Sequence, residues 1–517
     1  MEKSKKIILA ILIATICCVV FSFQTQKVGF HEDEGYTAAS SVNPSNGLMV
    51  ATDENGNPKW LTKEYVTDFV TLSPKNIFNF KALYLNQAYD NHPPFFYTMV
   101  HFASLFFGGH FTKYNVFIVN IVAFILSLIV IIKILKLLSK EKLIPAALIF
   151  YGLSMGTISM VIFQRMYMLL TFFVVLYFYQ TLKIYKNNFK LDGKTITLLG
   201  ITTILGFLTQ YFFAIYAFAI FVLMIIQMFR RKANKELIKN YFLAHVIYAI
   251  LGILIFVPCI KHLLFSGRGI SNLRNGEYFL HFWEYIKHFA YAFSINTNYT
   301  PLIIIALVIF FGLIIYWFIK SKEKFIVALT TLPSIFYFII AVKMTSFQEL
   351  RYIMPTLPFA SLAFILSLDN LFTLKNKENI ITIIATILVF IGLFTSKPLF
   401  LYKDYQKCLD IAKQNSEKSF VYVYDNFFNH MQSIPEMMVY KKTLIVNTNG
   451  NNELEFMLKN DELNNESSYI LSIKNYIDND EILNKIKENT DFKNIEKIYD
   501  GPISKYEVGN NLYLVSK

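Results

Sequence analysis

The chain has 517 residues, of which 55% are hydrophobic, 17% aromatic and only 16% charged. A soluble domain carries about 25% charge, so this composition excludes a water-soluble enzyme, a disordered chain and a disulfide-built scaffold. The net charge of +13 does not indicate nucleic-acid binding, because Lys and Arg fall in short clusters between long apolar blocks rather than along one basic face.

Lys3, Lys5 and Lys6 precede an apolar run over 7–23 with no small-x-small cleavage site after it, which predicts an uncleaved first span with a cytoplasmic N-terminus. Residues 24–94 are too polar to cross and form an outer loop. The apolar stretch 95–107 is about 13 residues long where a span needs about 20, and it is predicted to lie in the interface. Were it to cross, Lys133, Lys136, Lys140 and Lys142 would fall outside, against the positive-inside rule. Further spans are predicted at 114–135, 143–162, 166–183, 196–209, 211–229, 242–263, 300–319, 325–343, 353–373 and 379–396. With the first helix these make eleven, and every basic cluster then shares the face of the N-terminus.

An odd number of spans places the C-terminus outside. Beyond 396, β-type runs at 419–424, 443–447, 468–473 and 512–515, with a helical segment at 475–487, predict a small α/β domain. The expected fold class is an all-α polytopic membrane domain over 1–396, with a first extracytoplasmic loop at 24–113, followed by an extracytoplasmic α/β domain over 397–517. Cys17, Cys18, Cys259 and Cys408 have no CxxC or paired spacing, so neither zinc nor a disulfide framework is indicated.

With this topology several polar groups gather on the outer face. His31-Glu32-Asp33-Glu34-Gly35-Tyr36 places three consecutive acids at the membrane boundary, either as a solvated helix start or as functional carboxylates. In Tyr89-Asp90-Asn91-His92-Pro93-Pro94, two prolines stiffen the chain and set Asp90 and His92 at headgroup level, as a polar turn or as part of a site. Arg165 is the only basic residue between Lys142 and Lys183, and at that depth it needs an anion, a carboxylate such as Asp33 or Glu34 or a phosphate. Gln210-Tyr211 and Gln348-Glu349-Leu350-Arg351-Tyr352 lie at two further outer junctions. Carboxylates and two arginines beside a lipid-facing helix suit a reaction on a lipid-linked phosphate, the arginines holding the phosphate while a carboxylate takes a proton from an attacking hydroxyl.

Asp33-Glu34 after the first span, His92-Pro93-Pro94-Phe95-Phe96-Tyr97 after it, Arg165-Met166-Tyr167, and Arg351-Tyr352-Ile353-Met354-Pro355 together resemble the membrane glycosyltransferases of the GT-C fold. The set is similar to the family 39 protein mannosyltransferases and the lipid A aminoarabinose transferases. The resemblance covers about residues 1–396 and leaves the C-terminal domain unmatched. It implies an inverting transferase that moves a sugar from a polyprenyl-phosphate donor to an acceptor hydroxyl of a glycan, lipid or protein at the outer face of the membrane. It further implies Asp33 as base or acceptor-positioning group, Glu34 beside it paired to Arg165, His92 helping to shape the donor site, Asp90 at a position acidic in many relatives and Arg351 as a candidate for the lipid phosphate; Arg165, Tyr211 and Glu349 are further substrate-binding candidates by their place at the outer junctions. Glu32 is an additional acid before the usual pair. Two nearby arginines make a metal less necessary, so no metal or other cofactor is expected. A transporter for lipid-linked saccharides is the alternative reading, but transporters tend to place polar groups at mid-membrane, and here the mid-span regions are nearly free of charge.

Overall fold

The lysines at the ends of the apolar helices are tied to one another's neighbourhoods, which fixes one end of the bundle. Lys140 and Lys377 both reach the buried Asp369, at 2.6 and 2.8 Å. Lys186 meets Glu323 at 2.7 Å, and Arg231 donates to the Tyr185 hydroxyl at 2.6 Å. The clusters that sequence assigns to one face therefore do share one end of this computed structural model, which describes residues 3–44, 49–108, 110–265, 278–295, 298–345, 347–425, 429–449, 452–502 and 509–517.

Among the described residues, nine helices are long and apolar enough to cross a bilayer. They are α1 (Lys3–Thr25), α4 (Phe117–Leu137), α7 (Tyr167–Lys186), α9 (Phe212–Arg230), α10 (Lys235–Ile255), α12 (Thr300–Lys320), α13 (Lys324–Met344), α14 (Leu357–Leu371, with the Met354–Thr356 turn before it) and α15 (Lys377–Thr395). α5 (Ile144–Gly152) and α6 (Met155–Ile162) are apolar enough together for a tenth, but they meet at 61°, the geometry of a broken span or of a re-entrant loop. The apolar α8 (Gly193–Thr209), at 17 residues, is shorter than these, so the described residues give nine spans, or ten with the bent pair, where eleven were expected. The chain is a multi-pass membrane protein.

Two further expectations need correction. The span expected at 242–263 starts and stops earlier, as α10, because Asn234 caps it by accepting from the Glu236 N–H at 2.9 Å and Pro258 follows its end. The segment before 300 also holds an unforeseen helix, α11 (Tyr278–Ala292), whose His281, Glu284, Lys287 and His288 interrupt its apolar pattern.

At the opposite end from the lysine clusters lie α2 (Glu32–Val42) and α3 (Phe95–Ser104), the short helix within the stretch read as interfacial. His101 of α3 contacts the Ser41 carbonyl of α2 at 2.8 Å. The C-terminal region forms a six-stranded sheet in the order β1-β3-β2-β4-β6-β5. Its strands are β1 (Trp60–Thr62), β2 (Ser419–Tyr424), β3 (Lys442–Asn447), β4 (Ser468–Lys474), β5 (Asn494–Tyr499) and β6 (Asn510–Ser516). β2 runs parallel to β3 and β4, while β6 is antiparallel to β4. The edge strand β1 comes from the first loop, pairing Trp60 with Leu444 in antiparallel register.

The two faces of the sheet do different work. Val421, Val423, Leu471 and Ile473 pack with Ile482 and Ile486 of the helix Asn479–Asn489 into a core of their own. Phe420, Tyr422 and Ile470, which alternate with them along the strands, join the core that runs into the membrane helices. Contact with α2 is close. A Cβ built on Gly35 would lie 2.8 Å from the Met431 carbonyl oxygen, a backbone atom that has little room to yield. Gly35→Ala is expected to lower stability by about 1–3 kcal/mol through overpacking, read as a lower melting temperature in detergent. An unchanged melting temperature would mean the two regions separate freely.

Candidate active site

The acidic helix α2 begins with a reciprocal cap. The His31 Nδ1 accepts from the Asp33 N–H at 3.1 Å, and the Glu34 carboxylate accepts from the His31 N–H at 2.7 Å. Three acids in the first turn also suit the positive end of the helix dipole. Each of the three then takes a different direction.

Asp33 is bracketed by both arginines. Its carboxylate forms an ion pair with the Arg351 Nη1, and its carbonyl oxygen accepts from the Arg165 Nη1 at 3.3 Å. Burial alone would raise the Asp33 carboxyl, but Arg351, then Arg165, outweigh it and hold it far below the usual carboxylate range. The side chain keeps 29% exposure, so it remains within reach of a substrate.

Arg165 sits in the break between α6 and α7 and is only 2% exposed. It donates to the Thr37 hydroxyl at 2.8 Å, the Tyr97 hydroxyl at 3.1 Å and the His92 Nε2 at 3.1 Å. A guanidinium only donates, so the ring proton of His92 sits on Nδ1 and is given to Asp90 at 2.7 Å. Burial raises the Asp90 carboxyl, but His92, the Asn91 N–H and Arg165 bring it below its ordinary value. The Arg165 Nε is buried with no hydrogen-bond partner among the described residues.

Arg351 lies in the 3-10 turn 350–352 between α13 and α14. Its Nε meets Glu349 at 3.0 Å. α11 buttresses this turn: Tyr285 donates to the Phe347 carbonyl at 2.7 Å, and His288 contacts the Gln348 carbonyl at 3.0 Å. Asp33, Asp90, His92, Arg165, Glu349 and Arg351, expected from sequence, thus form one connected cluster.

Glu34 departs from its expected pairing. Its partner is Lys27, at 2.9 Å with both side chains at 0% exposure, and not Arg165. Its other oxygen accepts from the Gln164 N–H at 2.7 Å. The cap turns Glu34 inward, and both its oxygens are taken up by Lys27 and the His31 and Gln164 N–H groups. Lys27, which also donates to the Phe400 carbonyl at 2.5 Å, was not among the sequence candidates. Its signal was a lone cation just past a span on the side that the positive-inside rule leaves poor in lysine.

Tyr211 also lies apart, in a small cluster with Leu208, Phe256 and Cys259. Its hydroxyl bonds the His262 Nδ1 at 2.8 Å, and the His262 Nε2 contacts the Ala88 carbonyl at 3.2 Å, just before Asp90. Its connection to the site is through that turn. Among the described residues no group of three His, Cys, Asp or Glu side chains could hold a metal ion.

The helical bundle with two arginines gripping a first-loop acidic helix has the GT-C fold of membrane glycosyltransferases. ArnT from Cupriavidus metallidurans, in the structure bound to undecaprenyl phosphate, aligns over 99% of this chain and 98% of its own, with TM-score 0.57 and 11% identity. The same protein in the apo state aligns over the same shares, with TM-score 0.58 and 11% identity. No family model matches the sequence, and no curated protein matches it.

Proposed function

We propose that the chain is an inverting glycosyltransferase that moves a sugar from a polyprenyl-phosphate donor to an acceptor hydroxyl at the extracytoplasmic face of the membrane. The observation that carries this reading is the pair of buried guanidiniums on either side of Asp33. The ligand of the ArnT structure, undecaprenyl phosphate, supports a donor of that class.

In this reading Arg351 and Arg165 receive the donor phosphate, and the orphaned Arg165 Nε offers it an unused donor. His92 and Asp90 fix the Arg165 plane. Glu349 fixes that of Arg351. The phosphodiester gains charge as its bond to the sugar breaks, and fixed cations stabilise that state more than the ground state. The first turn of α2 faces the acceptor. With the lysine-rich end cytoplasmic by the positive-inside rule, α2 and the sheet stand on the extracytoplasmic side, where no nucleotide donor is needed.

The test is mass spectrometry of envelope glycans and lipid-linked sugars in cells with and without the protein. Loss of a sugar substituent together with accumulation of its polyprenyl-phosphate form is expected without it, and Asp33→Asn should not restore the substituent. Identical glycan and lipid profiles in the two strains would sink the reading.

A further inference from the structure

Tyr167, two residues after Arg165, is the first residue of α7. It is 3% exposed, and its hydroxyl makes no hydrogen bond among the described residues. A buried hydroxyl without a partner is costly. Phenylalanine would fill the same space without that cost.

The Tyr167 ring is held from two sides. It stacks on Phe163, with 6.2 Å between centroids and 13° between planes, and it meets the Tyr352 ring edge-on at 6.0 Å and 86°. The same two rings hold Arg351, whose Cζ lies 5.9 Å from the Phe163 centroid and 5.1 Å from that of Tyr352. Phe163, Tyr167, Tyr352 and Arg351 therefore close a circuit of contacts between the break before α7 and the 350–352 turn. Arg165 belongs to the same break, where its backbone N–H donates to the Phe163 carbonyl at 2.7 Å. The Tyr167 hydroxyl is near enough to both guanidiniums, and to Asp33, to interact with their charges.

We propose that the Tyr167 hydroxyl binds the phosphate of the polyprenyl-phosphate sugar, as a neutral hydrogen-bond donor beside the two guanidiniums. This deepens the glycosyltransferase reading and rests on it.

The donors left over select the ligand. The Arg165 Nε is buried and unpartnered, and the Tyr167 hydroxyl lies two residues further along. A guanidinium only donates, and a phenol has one proton to give. Two unused donors in one stretch of three residues call for a group with more than one acceptor oxygen, which a phosphate supplies. Asp33 is taken by Arg351 and does not fill that role. As the bond from the phosphate oxygen to the anomeric carbon breaks, its electron pair stays on the phosphate. An O–H on a ring fixed by Phe163 and Tyr352 meets that growing charge with no reorganisation.

Tyr167→Phe keeps both ring contacts and removes only the oxygen. The experiment uses the full chain in nanodiscs, with undecaprenyl phosphate and undecaprenol as ligands and thermal stabilisation as the measure of binding. Without ligand, Tyr167→Phe should melt at or above the wild-type temperature, because no hydrogen bond within the protein is lost. Its affinity for undecaprenyl phosphate should fall about tenfold, the share of one hydrogen bond to a charged group. Its response to undecaprenol should not change. Turnover is read as release of undecaprenyl phosphate, with undecaprenyl-phosphate sugars extracted from the producing cells as donor and the envelope fraction of cells lacking the protein as acceptor. It should fall by at least the same factor.

Tyr167→Phe that binds undecaprenyl phosphate as tightly as wild type overturns the proposal, and the hydroxyl then serves water alone. So does an equal weakening toward undecaprenol, which would put Tyr167 against the lipid tail. A lowered melting temperature without ligand overturns it as well, because the hydroxyl would then serve a bond within the protein. Wild-type protein that undecaprenyl phosphate stabilises no better than undecaprenol has no phosphate site, and that result removes the glycosyltransferase reading together with the proposal.

Discussion

Arg351→Ala is expected to lower release of undecaprenyl phosphate by about 10²–10³-fold, the cost of removing one preorganised charge-stabilising donor. The side chain is buried, with Asp33 on its Nη1 and Glu349 on its Nε. Truncation removes the main influence that holds the Asp33 carboxyl low and leaves two carboxylates facing an incoming phosphate. Arg351→Lys keeps the charge but cannot serve Asp33, Glu349 and a phosphate from one plane, so a loss of about tenfold is expected, near 1.4 kcal/mol. Arg165→Ala should behave differently. Arg165 links the Asp33 carbonyl, Thr37, Tyr97 and His92, so a lowered melting temperature should accompany its loss of turnover. Arg351→Ala within threefold of wild type would remove Arg351 from donor binding.

How much of this site could be read from sequence depends on what each residue's neighbours in the chain reveal. Arg165 and Arg351 were legible because a lone cation at a span junction is costly without an anion. The anion itself was not legible. Asp33 and Glu34 are adjacent in sequence, and only the cap at His31, which turns Glu34 toward Lys27, decides which carboxylate meets which cation. Tyr211 was selected by its place at a junction. Its actual partner, His262, lies beyond Pro258 in a short helix that composition merges with the preceding span.

The fold shows the same division. Spans with continuous apolar runs and basic ends were read close to where they stand. α11 was missed because a helix lying among loops carries charges that a span cannot. β2 falls where its apolar run predicts, since it is central and buried on both faces. β5, an edge strand with no buried residue, has no such run. β1 is three residues long and gains its identity only from pairing with β3, far along the chain.

Lys27→Met is expected to destabilise the protein by about 3–5 kcal/mol, the range for a buried carboxylate stripped of its partner. Lys27 and Glu34 have no exposure to solvent that could screen the loss. Lys27 also holds the Phe400 carbonyl, beyond the last span, and lies over the Tyr402 ring at 5.2 Å. Glu34 holds the N–H groups of His31 and Gln164, the latter next to Arg165. One ion pair therefore joins the end of α1, the start of α2, the break before α7 and the entry to the sheet. Glu34→Gln alone should also destabilise, because a neutral amide leaves the ammonium uncompensated and accepts from fewer of those donors. In the Lys27→Met/Glu34→Gln double variant neither charge remains, so its loss should be smaller than the sum of the singles by about 2 kcal/mol. Thermal unfolding of the three variants in detergent gives that difference. Additive losses would mean that the two charges do not act as a pair. Turnover should fall with stability in all three, because the Gln164 N–H and the cap of α2 both depend on Glu34, and they set where Arg165 stands relative to Asp33.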